Sequence, residues 1–221
     1  AQNGVPLEHL VFLNNQDGTF RDFSDDSGLR DIQAGFFAFA DMDNDGDQDV
    51  FAGVDVYDIG ADHQVLLNDG TGVFEVVEDS GVDELSYAMV ANAAFADFDG
   101  DGILDLFVGQ GGTMYMMNDE VFLGRGDGTF DRQSDALGTD IDQPSNGSVT
   151  CDMDNDGDLD ILVSTYGVSV EQGLNHWWDN DGRGQFTNVA IERGFASLPT
   201  GNYWTSTTGY GTEAEPDAEP G

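Results

Sequence analysis

Apolar and polar residues alternate in short runs along most of the chain, and Asp-, Asn- and Gly-rich turns separate the runs. One series comprises GFFAFA (35–40), DVFAGV (49–54), HQVLLN (63–68) and VFEVVED (73–79). Alternation of this kind, with aromatic residues and Asp-Gly turns, predicts β-strands joined as hairpins. No amphipathic stretch of helical length interrupts the pattern, so the sequence predicts an all-β fold.

Two motifs recur along the chain with the same period. The first is an acidic nonapeptide that begins at Asp41, Asp97 and Asp152. The second is a Gly-rich turn that ends in phenylalanine, at Phe20, Phe74, Phe130 and Phe186. A unit of four short strands repeated every ~55 residues has the size of a propeller blade. We therefore expect a β-propeller built of four-stranded antiparallel blades.

The phase of the two motifs predicts the organisation of the chain. Residues 1–200 form the propeller region, with about four units that make either a small closed ring or part of a larger one. The predicted units are a partial blade at 8–32 and complete blades at 34–82, 88–136 and 146–190. Residues 201–211 are a candidate closing strand for a further unit. Residues 212–221 are acidic and Pro-rich, which is typical of a tail or linker.

The charge of the chain restricts its partners. The 221 residues include 44 acidic and 6 basic residues, and the formal net charge is −38. Nucleic acids and anionic membranes require positive charge, so both are disfavoured. No apolar run approaches the ~18–20 residues of a membrane helix, so membrane insertion is not expected.

The acidic nonapeptides have the spacing D-x-D-x-D-G-x-x-D. This spacing places side-chain oxygens at loop positions 1, 3, 5 and 9, and position 7 adds a backbone carbonyl. An all-oxygen, flexible set of this kind suits Ca²⁺. An EF-hand would need glutamate at position 12, where this chain has Ala52, Val108 and Val163. Solvated acidic turns are the simpler alternative, but three copies that keep all four aspartates and the glycine favour about three calcium sites.

The acidic loops, followed in phase by the turns that end in phenylalanine, resemble FG-GAP/VCBS repeats. Such repeats form the blades of the integrin α-subunit propeller and of many secreted bacterial proteins. The resemblance covers roughly residues 8–190 and implies a propeller in which each metal loop joins the first two strands of a blade. It also implies that the ions are mostly structural. The family usually has seven blades, whereas this chain supplies about four.

The resemblance assigns ligands residue by residue. The implied side-chain ligands are Asp41, Asp43, Asp45 and Asp49, then Asp97, Asp99, Asp101 and Asp105, and finally Asp152, Asp154, Asp156 and Asp160. The implied backbone-carbonyl ligands are those of Asp47, Ile103 and Asp158.

Other candidate sites are better interpreted as parts of the repeat. The RGD tripeptide that begins at Arg125 occupies the same turn as Asn15-Gln16-Asp17, so we interpret it as a turn. One polar position recurs in every unit, at His9, His63, Asp119 and Asn175. We interpret that position as structural and not as a zinc or catalytic site.

Three further residues carry specific expectations. Trp177 and Trp178 are adjacent on a predicted strand and must face opposite ways, so one is core and one is available, for example to stack on a sugar. Cys151 stands where an apolar strand residue is expected, and we predict a buried thiol.

The predicted function is that of a secreted or periplasmic binding or adhesion module for a protein or glycan. The alternative is a non-catalytic accessory domain or subunit of a larger secreted enzyme, with a partner chain or further copies completing the propeller. No nucleophile or cofactor motif is present in the sequence, so we expect no enzymatic activity.

Overall fold

The computed structural model describes the chain in six segments, residues 8–54, 62–85, 90–111, 118–137, 145–165 and 175–194. These segments contain 14 β-strands and one 3₁₀ helix, Val82–Leu85. The predicted all-β fold class is therefore confirmed. The candidate closing strand at 201–211 and the acidic tail at 212–221 lie outside the described residues.

The strands form four antiparallel sheets, one with two strands and three with four. The first sheet contains β1 (Phe12–Asn14) and β2 (Phe20–Asp22). The second contains β3 (Phe36–Ala40), β4 (Asp49–Gly53), β5 (Gln64–Asn68) and β6 (Phe74–Val76). The third contains β7 (Val90–Ala96), β8 (Asp105–Gln110), β9 (Glu120–Gly124) and β10 (Phe130–Arg132). The fourth contains β11 (Ser145–Cys151), β12 (Asp160–Thr165), β13 (His176–Asn180) and β14 (Phe186–Asn188).

Each four-stranded sheet is a meander in which consecutive strands pair. Phe39 lies opposite Val50, and Val50 lies opposite Leu66, so these residues of three strands share one face of the second sheet. This is the blade-like unit that the period of about 55 residues predicts. The two strands of the first sheet correspond to the last two strands of such a unit.

The hydrophobic core lies between consecutive sheets, because each sheet has two apolar faces. We call the face toward the preceding sheet the rear face and the face toward the following sheet the forward face. Phe51 on the forward face of the second sheet packs in one cluster with Phe122 on the rear face of the third. Phe107 and Trp178 make the corresponding pair between the third and fourth sheets. All four of these side chains are at most 2% exposed.

A backbone hydrogen bond also joins each sheet to the one before it. The N–H of the phenylalanine that ends the second motif donates to a turn carbonyl of the preceding sheet. The pairs are Phe74 to Ser27 (2.8 Å), Phe130 to Ser80 (2.8 Å) and Phe186 to Ala136 (2.9 Å). The second motif therefore recurs because it marks the junction between blades.

The paired tryptophans face opposite ways, as predicted. Trp178 is 2% exposed in the core, and Trp177 is half-buried on the forward face. The prediction for Cys151 is wrong, because this residue is exposed. Its equivalents one residue before the other acidic loops, Ala40 and Ala96, are buried under a following sheet. No described sheet covers Cys151 on the forward face of the fourth sheet.

The close approach at the junctions gives a testable prediction. Gly81 has φ +88°, and an added Cβ would lie 2.2 Å from the carbonyl oxygen of Phe130. Gly18 has nearly the same φ, +89°, with nothing within 4 Å of its Cβ position. Gly18→Ala should cost only the left-handed backbone strain, about 1–2 kcal/mol. Gly81→Ala should cost at least ~2 kcal/mol more, measured by urea unfolding. Equal losses would show that the junction does not need the close approach.

Candidate metal centres

The three acidic loops join the first two strands of the three complete sheets, between β3 and β4, β7 and β8, and β11 and β12. This is the location that the family resemblance implies. In each loop the carboxylates of positions 1, 3 and 5 come together, with one oxygen from each within 4.8 Å of the others. The groups are Asp41, Asp43 and Asp45, then Asp97, Asp99 and Asp101, and then Asp152, Asp154 and Asp156.

The loop backbone wraps around the carboxylate of position 1. In the second loop, Asp97 accepts hydrogen bonds from the N–H groups of Gly100 (2.8 Å), Asp101 (3.1 Å) and Gly102 (2.9 Å). The glycine at position 6 has positive φ in every loop, for example +107° at Gly157. Glycine is favoured there because other residues are strained in this region. The D-x-D-x-D-G spacing therefore encodes a turn that gathers carboxylates.

The aspartate of position 9 is buried and anchors the loop to the sheet. Asp105 is 1% exposed and accepts from the N–H of Phe98 (2.7 Å) with one oxygen and from the N–H of Gly124 (2.8 Å) with the other. Asp49 and Asp160 make the same two bonds in their sheets. Each of these oxygens keeps a second lone pair, so a role as metal ligand is chemically compatible. The ligand assignment for position 9 stays a prediction.

The loops concentrate negative charge without enough internal donors. Burial raises the pKa of Asp105 to about 6. Burial, with neighbouring carboxylates of the same loop, also raises the pKa of Asp43, Asp49 and Asp99. The Oδ1 atom of Asp41 is buried and has no hydrogen-bond partner. An oxygen-seeking divalent cation would satisfy that atom and offset the repulsion, so the residues present fit Ca²⁺.

The residues of position 7 lie beside the Gly-rich turn of their own sheet. A Cβ on Gly70 would be 2.5 Å from the carboxylate of Asp47, and one on Gly182 would be 2.5 Å from that of Asp158. Ile103 packs at the corresponding place against Gly126. Their side chains therefore contact the turn, while the predicted role of their carbonyls as ligands stays a prediction.

The third loop has an additional carboxylate that the sequence analysis missed. One carboxylate oxygen of Asp179 on β13 lies within 4.8 Å of one carboxylate oxygen of Asp154 and one of Asp160. Arg193 approaches this group, with its Nη2 atom 3.1 Å from Asp154 and 3.8 Å from Asp179. Aligning the repeats would have revealed the signal, because Asp179 replaces Leu13, Leu67 and Leu123 of the other three sheets.

The recurring polar position has a structural role, as predicted. In each complete sheet its side chain accepts a hydrogen bond from a backbone N–H at or just after the end of the second strand. The pairs are Val54 to His63 (3.0 Å), Gln110 to Asp119 (2.8 Å) and Thr165 to Asn175 (3.3 Å). His9 differs, because its Nε2 atom lies 2.9 Å from the carbonyl oxygen of Ile32.

The interpretation of the RGD tripeptide as a turn is also confirmed. Asp127 accepts from the N–H (3.0 Å) and the hydroxyl (2.6 Å) of Thr129. Asp17 and Thr19 make the same two bonds in the first sheet. Arg125 pairs with Asp131, so the tripeptide is folded into a repeat turn.

Residues 109–163 match the family model of the FG-GAP-like repeat. This segment is similar to an FG-GAP-like repeat. It runs from the end of β8 into β12 and includes the third acidic loop. All three complete sheets have the same strand order, and the position-9 aspartates of their acidic loops make the same two hydrogen bonds.

A search of curated proteins found no match to the chain. Among the residues that the structure describes, no helix has the length and apolarity needed to cross a bilayer.

Because the position-9 aspartate anchors its loop, substitutions at two positions of the same loop should differ in their effect on stability when no metal is bound. Asp105→Ala should lower the free energy of unfolding by about 3 kcal/mol, because it leaves two N–H groups without acceptors. Asp101→Asn is the matched control, since Asp101 is exposed and the loss of its charge relieves repulsion within the loop. It should change stability by less than ~0.5 kcal/mol in EDTA. Similar losses for both variants would contradict the anchoring role.

A second prediction concerns pH. Burial raises the pKa of Asp119 to about 7 from 3.8, so the folded state keeps a proton that the unfolded state releases. The contribution of this group to stability therefore falls as pH rises from about 4 to about 7. Asp119→Asn keeps an acceptor for Gln110 and imitates Asn175. The free energy of unfolding of this variant should equal that of the parent chain near pH 4 and exceed it by roughly 2–4 kcal/mol at pH 8.

Thermal unfolding across this pH range measures the effect of Asp119→Asn. The control is Asp26→Asn, which removes the same charge from an exposed position. A gain that is independent of pH would contradict the prediction, since it would not arise from titration of a buried carboxyl.

Proposed function

We propose that this chain is a secreted, calcium-stabilised β-propeller module that binds a protein or glycan and has no catalytic role. The observation that carries the proposal is the threefold loop geometry. In every complete sheet, three carboxylates converge beside a buried fourth that anchors the loop. The FG-GAP-like repeat at residues 109–163 supports a propeller-like module.

Calcium is the cation that these loops fit best. The donors are oxygens, whereas zinc and copper prefer the nitrogen and sulfur ligands that these loops lack. Magnesium demands a tighter octahedral shell than a flexible nonapeptide favours. The ligands would be the carboxylates of positions 1, 3, 5 and 9 with the carbonyl of position 7, one ion in each loop. Three divalent ions would bring the formal charge from −38 to −32, so most of the acidity would remain on the surface.

The place of the loops supports a structural role for the ions. Each loop connects two strands of one sheet, and its position-9 aspartate is bonded to a third strand, as Asp49 is to Asn68. A bound ion would fix the carboxylates of positions 1, 3 and 5 to that same anchor. The described aspartates of the loops would thereby be committed to holding the fold, which leaves binding to other surfaces.

A secreted location follows from the affinity that such sites usually have. Extracellular calcium modules work at ~10⁻⁴–10⁻³ M, a concentration that the cytosol does not supply. An acidic surface without lysine suits an extracellular or periplasmic setting. FG-GAP-like repeats are typical of extracellular proteins, which supports the same assignment.

A second candidate function is supported by the exposed faces at the two ends of the array. Phe12 on the first sheet is 53% exposed, and Val149 on the fourth sheet is 52% exposed. Apolar surface of this kind marks interaction sites in soluble proteins. It favours an accessory domain or subunit of a larger secreted assembly as the alternative to a module that acts alone.

The calcium assignment is tested by melting and stoichiometry. Excess Ca²⁺ should raise the melting temperature of the EDTA-treated chain by several degrees, because a ligand that binds only the folded state stabilises it. Elemental analysis after gel filtration should give about three calcium ions per chain. Asp101→Asn should reduce the count by one. Magnesium at the same concentration is the control and should produce a smaller shift. An unchanged melting temperature with calcium would overturn the assignment.

A further inference from the structure

The rear face of the first sheet is a blade junction without a described neighbour. Phe12 stands eight residues before the motif phenylalanine, the position of Leu66, Phe122 and Trp178 in the other sheets. Those three are 0–2% exposed, whereas Phe12 is 53% exposed. Phe20 itself is 63% exposed, although its equivalent Phe130 is 4% exposed. The same repeat positions that form the core elsewhere are therefore open here.

The forward face of the fourth sheet is open in the same way. Val149, Leu162 and Trp177 occupy the positions of Ala38, Phe51 and Val65, which pack against the third sheet from the second. Phe51 and Val65 are fully buried, whereas Val149 is 52% exposed and Trp177 is half-buried. Cys151 is exposed on this same face, where Ala40 and Ala96 are buried. The last sheet thus presents an apolar forward face.

The two open faces correspond to the two sides of an internal junction between sheets. At every internal junction a forward face of this composition packs against a rear face like that of the first sheet. The N–H of Phe74 donates to the carbonyl of Ser27, which precedes a glycine of positive φ. The corresponding dipeptide after the last strand is Arg193–Gly194, and Gly194 also has positive φ. The carbonyl of Arg193 and the N–H of Phe20 are the pair that a further junction would use.

We propose that the rear face of the first sheet binds the forward face of the fourth sheet of a second copy of this chain. Phe12, Phe20, Val149 and Trp177 form the centre of this interface. A second copy can supply both missing sides, because within the described residues the two faces are exposed in the same molecule and do not pack against each other. The contact is heterologous, since a different face is contributed by each copy, and it continues the internal junctions from one chain to the next.

The rim of the interface differs from the internal junctions. Leu67 and Leu123 contact turn glycines of the following sheet, Gly128 and Gly184. Asp179 takes the leucine position on the last sheet and would face the turn of Gly18. Copies of net charge −38 also repel each other. Because salt screens this repulsion, the association should strengthen from about 50 mM to 500 mM NaCl.

The experiment is sedimentation velocity of the full chain over a range of concentrations in 500 mM NaCl, with Phe20→Asp and Val149→Asp as single variants. Each variant destroys one of the two faces and should be monomeric alone. An equimolar mixture should form a 1:1 complex, because Phe20→Asp keeps its forward face and Val149→Asp keeps its rear face. Val76→Asp is the matched control, since Val76 is 37% exposed on the internal second sheet, and it should associate like the parent.

The single cysteine supplies an independent readout. Cys151 lies on the proposed forward face, so its reaction with a thiol reagent should slow at least fivefold as the parent associates. Its rate should stay fast in Phe20→Asp. The restored complex in the mixture also shows that both variants are folded.

Three results would overturn the proposal. The first is a parent chain that stays monomeric at all concentrations with fully reactive Cys151. The second is self-association of Val149→Asp alone, which would indicate contact between two rear faces. The third is failure of the mixture to form a complex while the parent associates.

Discussion

The structure depends on a buried carboxylate that accepts two backbone hydrogen bonds from different parts of the sheet. Asp105 receives the N–H of Phe98 in its own loop and the N–H of Gly124 at the end of the third strand. Ionised groups are costly to bury, and the pKa of Asp105 is raised to about 6 for this reason. The two N–H groups offset that cost and make the loop, the second strand and the third strand one unit.

This anchor connects the loops to the junctions between blades. The third strand of the second sheet ends at Asn68, which is bonded to Asp49, and the turn that follows leads directly to Phe74. The N–H of Phe74 then donates to the carbonyl of Ser27 in the preceding sheet. A continuous path of hydrogen bonds and one short turn therefore runs from each acidic loop to the neighbouring blade. A cation bound in the loop would stiffen the array as well as its own sheet.

Periodicity explains why most of the fold could be predicted and why some residues could not. The strands and loops repeat, so alternation and spacing were enough to place them. Cys151 was predicted incorrectly because its position is apolar and buried inside the array but lies on an open face at the end of it. Asp179 was missed because a strand position that holds leucine in the other three sheets gives no signal within a single repeat. The bonds of Asp105 to two backbone groups require the folded sheet, since Gly124 is distant in sequence.

The open faces of the first and fourth sheets resemble the internal junctions in composition more than they resemble the polar outer face of a capping repeat. Repeat proteins gain stability from each junction between neighbouring units, and terminal units that stop an array carry a polar outer face. Here the last face keeps Val149, Leu162 and Trp177. Asp179 lies at its rim, and the guanidinium carbon of Arg193 lies 5.4 Å from the centre of the Trp177 ring. The first face likewise keeps Phe12 and Phe20. An apolar centre with a charged rim is the usual anatomy of a surface that binds another protein. In the proposed assembly, the strong net negative charge would limit association to a partner that matches those faces closely.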